Sequence, residues 1–128
     1  MRVLFVDDEP VNRKVVGVML EASGIEMAEA SDAPSGLRMI DAEHFDVVLM
    51  DLRMPGMDGL SAIGSIRRRP DERRTLPIVL VTADSTMDLP ERASSAGADA
   101  LVRKPVGMKD LFDAMATAIS AREQTVLL

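Results

Sequence analysis

The chain has 128 residues, 47% of them apolar and 28% charged, with a formal charge of −6 at neutral pH, enough for one domain with a real hydrophobic core. The absence of cysteine, tryptophan and tyrosine excludes a disulfide framework or thiolate metal site and fits the cytoplasm; with the net acidity, it makes nucleic acid a poor partner. No apolar run of about 18 residues is present to cross a membrane, and the N-terminus lacks a signal-peptide profile.

The first element is Val3–Val6, a short branched apolar run that reads as a strand and stops abruptly at Asp7, Asp8, Glu9 and Pro10. Pro10 suits the first turn of a helix near residues 11–23, with Gly24 past its end. That helix is apolar on two sides. Val11, Val15, Val18 and Ala22 form one stripe, and Val16, Met19 and Leu20 form another. A weaker strand, Ile25–Ala30, leads to a helix near 34–42 opened by Pro34. Val47–Met50 is the third strand, and Asp51 follows it in "VVLMDLRMPGMDG". A helix near 59–68 comes next, weakened inside by Gly64 and stopped by Pro70. The arginines of "RRRPDERR" read as a solvated helix end and loop, with a phosphate-binding patch as the alternative. Ile78–Val81 is the fourth strand, with Thr82 after it. A helix near 88–96 tolerates Pro90 in its first turn and ends at Gly97. Ala100–Val102 is the fifth strand, followed by Lys104 and a last helix near 108–122.

Strict β-α alternation implies a parallel sheet covered by helices on both faces, joined by right-handed crossovers. Ligands bind such sheets outside the carboxyl ends of the strands. Asp7, Asp8, Asp51, Thr82 and Lys104 therefore share one edge. Carboxylates crowded together repel, and a hard, oxygen-seeking cation such as Mg²⁺ offsets that repulsion. The Lys104 ammonium and Thr82 hydroxyl suit phosphoryl oxygens. Asp51 can attack phosphorus as a carboxylate nucleophile, giving an acyl phosphate. Each residue also has a plainer reading. Acids after a strand often cap the next helix, a threonine there is usually structural, and a lysine before proline is usually a surface turn. Their joint placement at four strand ends makes coincidence remote.

The segments "VDDEP", "LMDLRMPGMDG", "VTAD" and "RKPV", in that order and one per strand end, resemble the receiver domain of bacterial two-component response regulators over essentially the whole chain. The resemblance implies an α/β, flavodoxin-like (βα)5 fold: a doubly wound, five-stranded parallel sheet of order 2-1-3-4-5 with two helices on one face and three on the other. Residues 1–122 would be the receiver domain and 123–128 a C-terminal tail or linker stub. It makes Asp51 the phosphoacceptor, charged from a phosphohistidine on a histidine kinase or histidine phosphotransfer protein. Asp7, Asp8, Asp51 and the backbone carbonyl of Arg53 would hold Mg²⁺, with Mn²⁺ as a substitute. Thr82 and Lys104 would bind the phosphoryl oxygens, and the peptide before Pro105 would be cis, an isomer that costs little in an X–Pro bond.

The resemblance implies a phosphorylatable switch for a partner or output domain rather than a turnover enzyme. A haloacid-dehalogenase-type phosphotransferase needs a second acid two residues after the nucleophile, where this chain has Arg53. A degenerate, unphosphorylated receiver is disfavoured by the intact acceptor set. One departure stands out: Leu101 holds the switch position where the family usually has tyrosine or phenylalanine. Arg53 and Asp84 flank the site with opposite charge; they could pair across its mouth and slow loss of phosphate, or form a solvent-exposed pair with little effect. By the same resemblance Val16, Met19 and Leu20 face the core. That leaves Val11, Val15 and Val18 exposed beside the acids, a stripe suited to docking a helical, histidine-bearing partner. Homodimerisation through the fourth and fifth helices stays open. His44 and the ten methionines need no functional role.

Overall fold

Successive residues of a strand point to opposite faces of the sheet, and the apolar runs of this chain fill both. The computed structural model describes the backbone of residues 1–127 and the side chains of residues 1–123. Its elements are β1 (Arg2–Val6), α1 (Pro10–Glu21), β2 (Glu26–Ala30), α2 (Ala33–Ala42), β3 (Val47–Asp51), α3 (Gly59–Arg67), β4 (Ile78–Thr82), α4 (Leu89–Ala96), β5 (Ala100–Arg103) and α5 (Met108–Leu127). The strands are all parallel, in the order β2-β1-β3-β4-β5. Both topology and element order match the sequence expectation. A 3-10 turn at Glu72–Thr75, between α3 and β4, was not foreseen.

Leu4, Val6, Val48, Met50, Ile78 and Leu80 face α2, α3 and α4, packing on Ile40, Ile63, Ile66 and Leu89. The alternate residues Val3, Phe5, Val47, Leu49, Val79 and Val81 face α1 and α5, packing on Val16, Leu20, Leu111 and Met115. Three helices thus cover one face and two the other. Every residue of β3 and of β4 is buried, as central parallel strands require. α5 continues to Leu127, past the boundary expected at 122. Leu128 and the side chains of 124–128, on which the expected tail falls, lie outside the described residues.

The arginine run corrects the simple surface reading. Arg67 donates from Nε to the Gly97 carbonyl (2.9 Å) and from Nη1 to the carbonyls of Arg74 (2.9 Å) and Leu76 (2.7 Å). Its Nη2 pairs with Asp99 at 3.0 Å, and Arg122 Nε donates to the other oxygen of that carboxylate at 2.8 Å. Arg73 holds the carbonyls of Ile40 and Asp41. These guanidiniums saturate chain ends at the amino edge of the sheet, so Arg67 and Arg73 are not available to a phosphate ligand. Burial, with Arg122 nearby, lowers the Arg67 pKa to about 10 despite the opposing pull of Asp99; it stays charged at neutral pH. Gly97 has φ +111°, and a Cβ there would sit 2.7 Å from the Arg67 stem.

The Asp99 side chain is 5% exposed and also accepts the Ile78 N–H at 2.9 Å. Replacing it with alanine strands two arginines against one another, a loss of about 3 kcal/mol and roughly 10 °C in Tm. Thermal unfolding of Asp99→Ala followed by circular dichroism measures this.

Candidate functional site

The parallel register decides which side chains meet at the carboxyl edge. Val6 is level with Met50, Asp51 with Val81, and Thr82 with Arg103. The residues that end or follow these strands, Asp7, Asp51, Thr82 and Lys104, therefore stand side by side. Asp7, Asp51 and Thr82 are the buried polar residues among those described, at 0%, 4% and 0% exposure. A folded core accepts such groups only when they are partnered.

Both oxygens of the Asp7 carboxylate are partnered. Its Oδ1 accepts the Glu9 N–H at 2.8 Å. Its Oδ2 accepts Asn12 Nδ2 at 3.3 Å and Lys104 Nζ at 3.0 Å. The same ammonium reaches Asp51 Oδ1 at 3.1 Å, and the Lys104 N–H donates to the Thr82 carbonyl at 2.8 Å. Thr82 Oγ1 accepts the Asp84 N–H at 3.0 Å, which leaves its hydroxyl proton free to donate. The plainer reading of the acids as helix caps falls to Glu9, whose carboxylate accepts the Val11 N–H at 3.4 Å. Asp8 accepts no hydrogen bond among the described residues.

Oxygens of Asp7, Asp8 and Asp51 lie within 4.8 Å of one another. Like charges near that separation repel by about 4 kcal/mol at the effective permittivity of a protein surface. Burial, then the neighbouring Asp7 charge, pushes the Asp51 carboxyl up from its ordinary value, while Lys104 pulls it back. Burial works against the Lys104 ammonium, but the hydrogen bond to Asp7 and the charge of Asp51 outweigh it and raise its pKa. An oxygen-only donor set with one uncommitted carboxylate suits a hard divalent cation.

Around this centre, Arg53 pairs with the Asp84 carboxylate. Asp84 is also gripped by the Thr86 hydroxyl and N–H at its side chain, and its carbonyl accepts from Arg103. Thr86 first, then Arg53, hold the Asp84 carboxyl far below the usual range. Leu101 is partly buried against the α4 side of the core. The Lys104–Pro105 peptide is cis. Val11, Val15 and Val18 are exposed by 64%, 44% and 60%, while Val16 and Leu20 of the same helix are buried. Gly59 starts α3 directly against the acceptor: a Cβ there would lie 2.2 Å from the Asp51 carbonyl oxygen.

Sequence reasoning missed Asn12, Arg13, Thr86 and Arg103. Arg13 donates from Nη1 to the Asp7 carbonyl at 2.6 Å and from Nε to Glu29 at 2.7 Å. The only cue was a cation lying between two apolar stripes of α1, which names no partner.

The family model of the response regulator receiver domain matches residues 3–116. The chain is 39% identical to the transcriptional regulatory protein PdtaR of Mycobacterium tuberculosis, over 98% of this chain and 60% of that one. It is 38% identical to the sensor protein GacS of Pseudomonas syringae, over 86% of this chain and 12% of that protein. The chain thus spans less than two thirds of the length of these curated relatives. Among solved structures it resembles the receiver domain of a sensor histidine kinase from Pseudomonas aeruginosa, described with a magnesium ion coordinated in the active-site cleft. That likeness has a TM-score of 0.83 and 30% identity, covering 93% of this chain and 97% of the other. Sequence, topology and the acidic edge agree: the chain belongs to the response regulator receiver domain family.

Proposed function

We propose that Asp51 accepts a phosphoryl group from the phosphohistidine of a histidine kinase or histidine phosphotransfer protein, and that the modified edge signals to a partner or output domain. The supporting observation is the Lys104 ammonium held between Asp7 and Asp51, beside a third carboxylate and a buried hydroxyl. Asp51 Oδ1 is engaged by Lys104, so Oδ2 is the attacking oxygen. It forms a P–O bond as the P–N bond to the donor imidazole breaks, and the electron pair leaves on nitrogen. Lys104 follows the negative charge from the carboxylate onto a phosphoryl oxygen, and Thr82 donates its free proton to another. Loss of the group is attack by water on phosphorus, which regenerates the carboxylate and releases phosphate.

Asp8, Asp51 and the Arg53 carbonyl would hold Mg²⁺, with Asp7 acting through water and Mn²⁺ able to substitute. When bound, the cation neutralises charge on the transferred phosphoryl group. No helix among the described residues is long and apolar enough to cross a membrane, and the cysteine-free composition supports a cytoplasmic setting. The exposed valines of α1 give an apolar stripe next to the acceptor for a helical donor.

Acetyl phosphate with Mg²⁺ should add one phosphoryl group to the intact mass. Asp51→Asn or excess EDTA should abolish the gain. An unchanged increment in Asp51→Asn would move the acceptor elsewhere.

Arg53 and Asp84 close over the mouth of the site and restrict attacking water. Arg53→Ala should shorten the acyl-phosphate lifetime several-fold, and an unaltered lifetime refutes the gate.

Val15→Asp should block transfer from the cognate histidine donor while leaving phosphorylation by acetyl phosphate intact. If both persist, the donor docks elsewhere.

A further inference from the structure

Asp7 and Asp8 are neighbours in sequence but are positioned by different means. The Asp7 carboxylate is locked by three donors, the Glu9 N–H, Asn12 and Lys104. The Asp8 carboxylate is exposed and makes no hydrogen bond among the described residues. What aims Asp8 is therefore its backbone, beginning with the peptide that joins it to Asp7. That peptide's oxygen is the Asp7 carbonyl, which accepts Arg13 Nη1 at 2.6 Å. On the other side of the same residue, the Asp7 N–H is tied to the Ala30 carbonyl of β2 at 3.1 Å.

Arg13 is itself fixed at a second point. Its Nε donates to Glu29 Oε1 at 2.7 Å, and Glu29 sits on β2 in register with Phe5 of β1. The Arg13 side chain is only 14% exposed, unusual for a cation on an outer helix. It spans α1, the β1–α1 connection and the edge strand, and its planar fork serves both acceptors at once. A lysine ammonium carries the same charge but is a point donor on a flexible stem and cannot reproduce that geometry.

We propose that Arg13, anchored by Glu29, is a positioning residue for the cation site: it sets the plane of the Asp7–Asp8 peptide and so aims the Asp8 carboxylate at the acidic edge. This rests on the reading of Asp7, Asp8 and Asp51 as a divalent-cation site. Outer-shell contacts to metal-ligating residues typically contribute 10- to 100-fold in affinity. A purely electrostatic role has the opposite sign. Arg13 is a cation beside a cation site, so removing its charge would tighten binding of Mg²⁺ rather than weaken it.

The test is isothermal titration of the purified protein with MgCl₂, at a temperature where circular dichroism shows each variant folded. The series is the parent protein, Arg13→Lys, Arg13→Ala, Glu29→Ala and Asp8→Asn. Positioning predicts that Arg13→Lys weakens Mg²⁺ binding about tenfold, that Arg13→Ala weakens it at least as much, and that Glu29→Ala shifts it in the same direction by less. It also predicts a split in kinetics. Phosphorylation of Arg13→Lys by acetyl phosphate should need more Mg²⁺ to reach half its maximal rate, yet approach the parent rate at saturation, because Asp51, Thr82 and Lys104 are untouched. Parent-like Mg²⁺ affinity in Arg13→Lys overturns the proposal, as does tighter binding in Arg13→Ala. If the Arg13 variants do not fold, an affinity unchanged in Glu29→Ala overturns it instead. Failure of the underlying site reading looks different: the parent itself would take up no Mg²⁺, or Asp8→Asn would bind as the parent does.

Discussion

One ammonium group organises the chemistry of this molecule. Lys104 Nζ lies 3.0 Å from Asp7 and 3.1 Å from Asp51, and without it two buried carboxylates would face each other unscreened. Burial pushes the Asp51 carboxyl up by disfavouring its charged form, and Lys104 pulls against that. The Lys104–Asp51 contact joins residues 53 positions apart in the chain, so it exists only when β3, β4 and β5 pair in the correct register. The site is thus a consequence of topology, and no shorter segment of the chain contains it.

The two ends of the sheet are built on opposite principles. At the amino edge, Asp99 and the guanidiniums of Arg67 and Arg122 are matched to one another and to chain-end carbonyls until little is left unsatisfied. Asp99 and Arg67 at this end have their polar atoms taken up by the chain itself. At the carboxyl edge the matching is deliberately incomplete. Asp8, the second oxygen of Asp51 and the hydroxyl proton of Thr82 are uncommitted among the described residues, and these are the atoms that the proposed cation and phosphoryl group would use. The saturated end holds the frame, and the unsatisfied end is where the proposed chemistry would take place. Gly59 extends the same constraint to α3: the helix starts so close to the Asp51 carbonyl that no side chain fits between them.

The β4–α4 connection is where the site meets the rest of the surface. Thr82 accepts from the Asp84 N–H, so its hydroxyl and that loop are oriented together. Asp84 in turn engages Arg53, Thr86 and Arg103. At position 101, by contrast, the chain offers a partly buried leucine packed against the core, an apolar side chain with no polar atom to exchange between partners. The polar connections from the site therefore run through residues 82–86 and reach β5 at Arg103, not at the position the family usually fills with an aromatic ring.

Most of the frame was legible before any coordinates. Branched apolar runs, prolines at helix starts and glycines at helix ends located ten elements, and parallel-sheet logic put Asp7, Asp51, Thr82 and Lys104 on one edge. Those inferences succeed because periodicity and strand-end position are properties of the sequence itself. What stayed hidden depends on long side chains whose partners lie far off in the sequence. Arg67 looked like a solvated helix end, yet it reaches carbonyls 7, 9 and 30 residues away. Nothing in the sequence names partners for Arg13, whose two acceptors come from a loop and an edge strand that no local pattern brings together. An arginine has enough reach and enough donors to find a partner in almost any fold, so its identity constrains its surroundings weakly. A buried aspartate at a strand end constrains them strongly, because few environments can hold it.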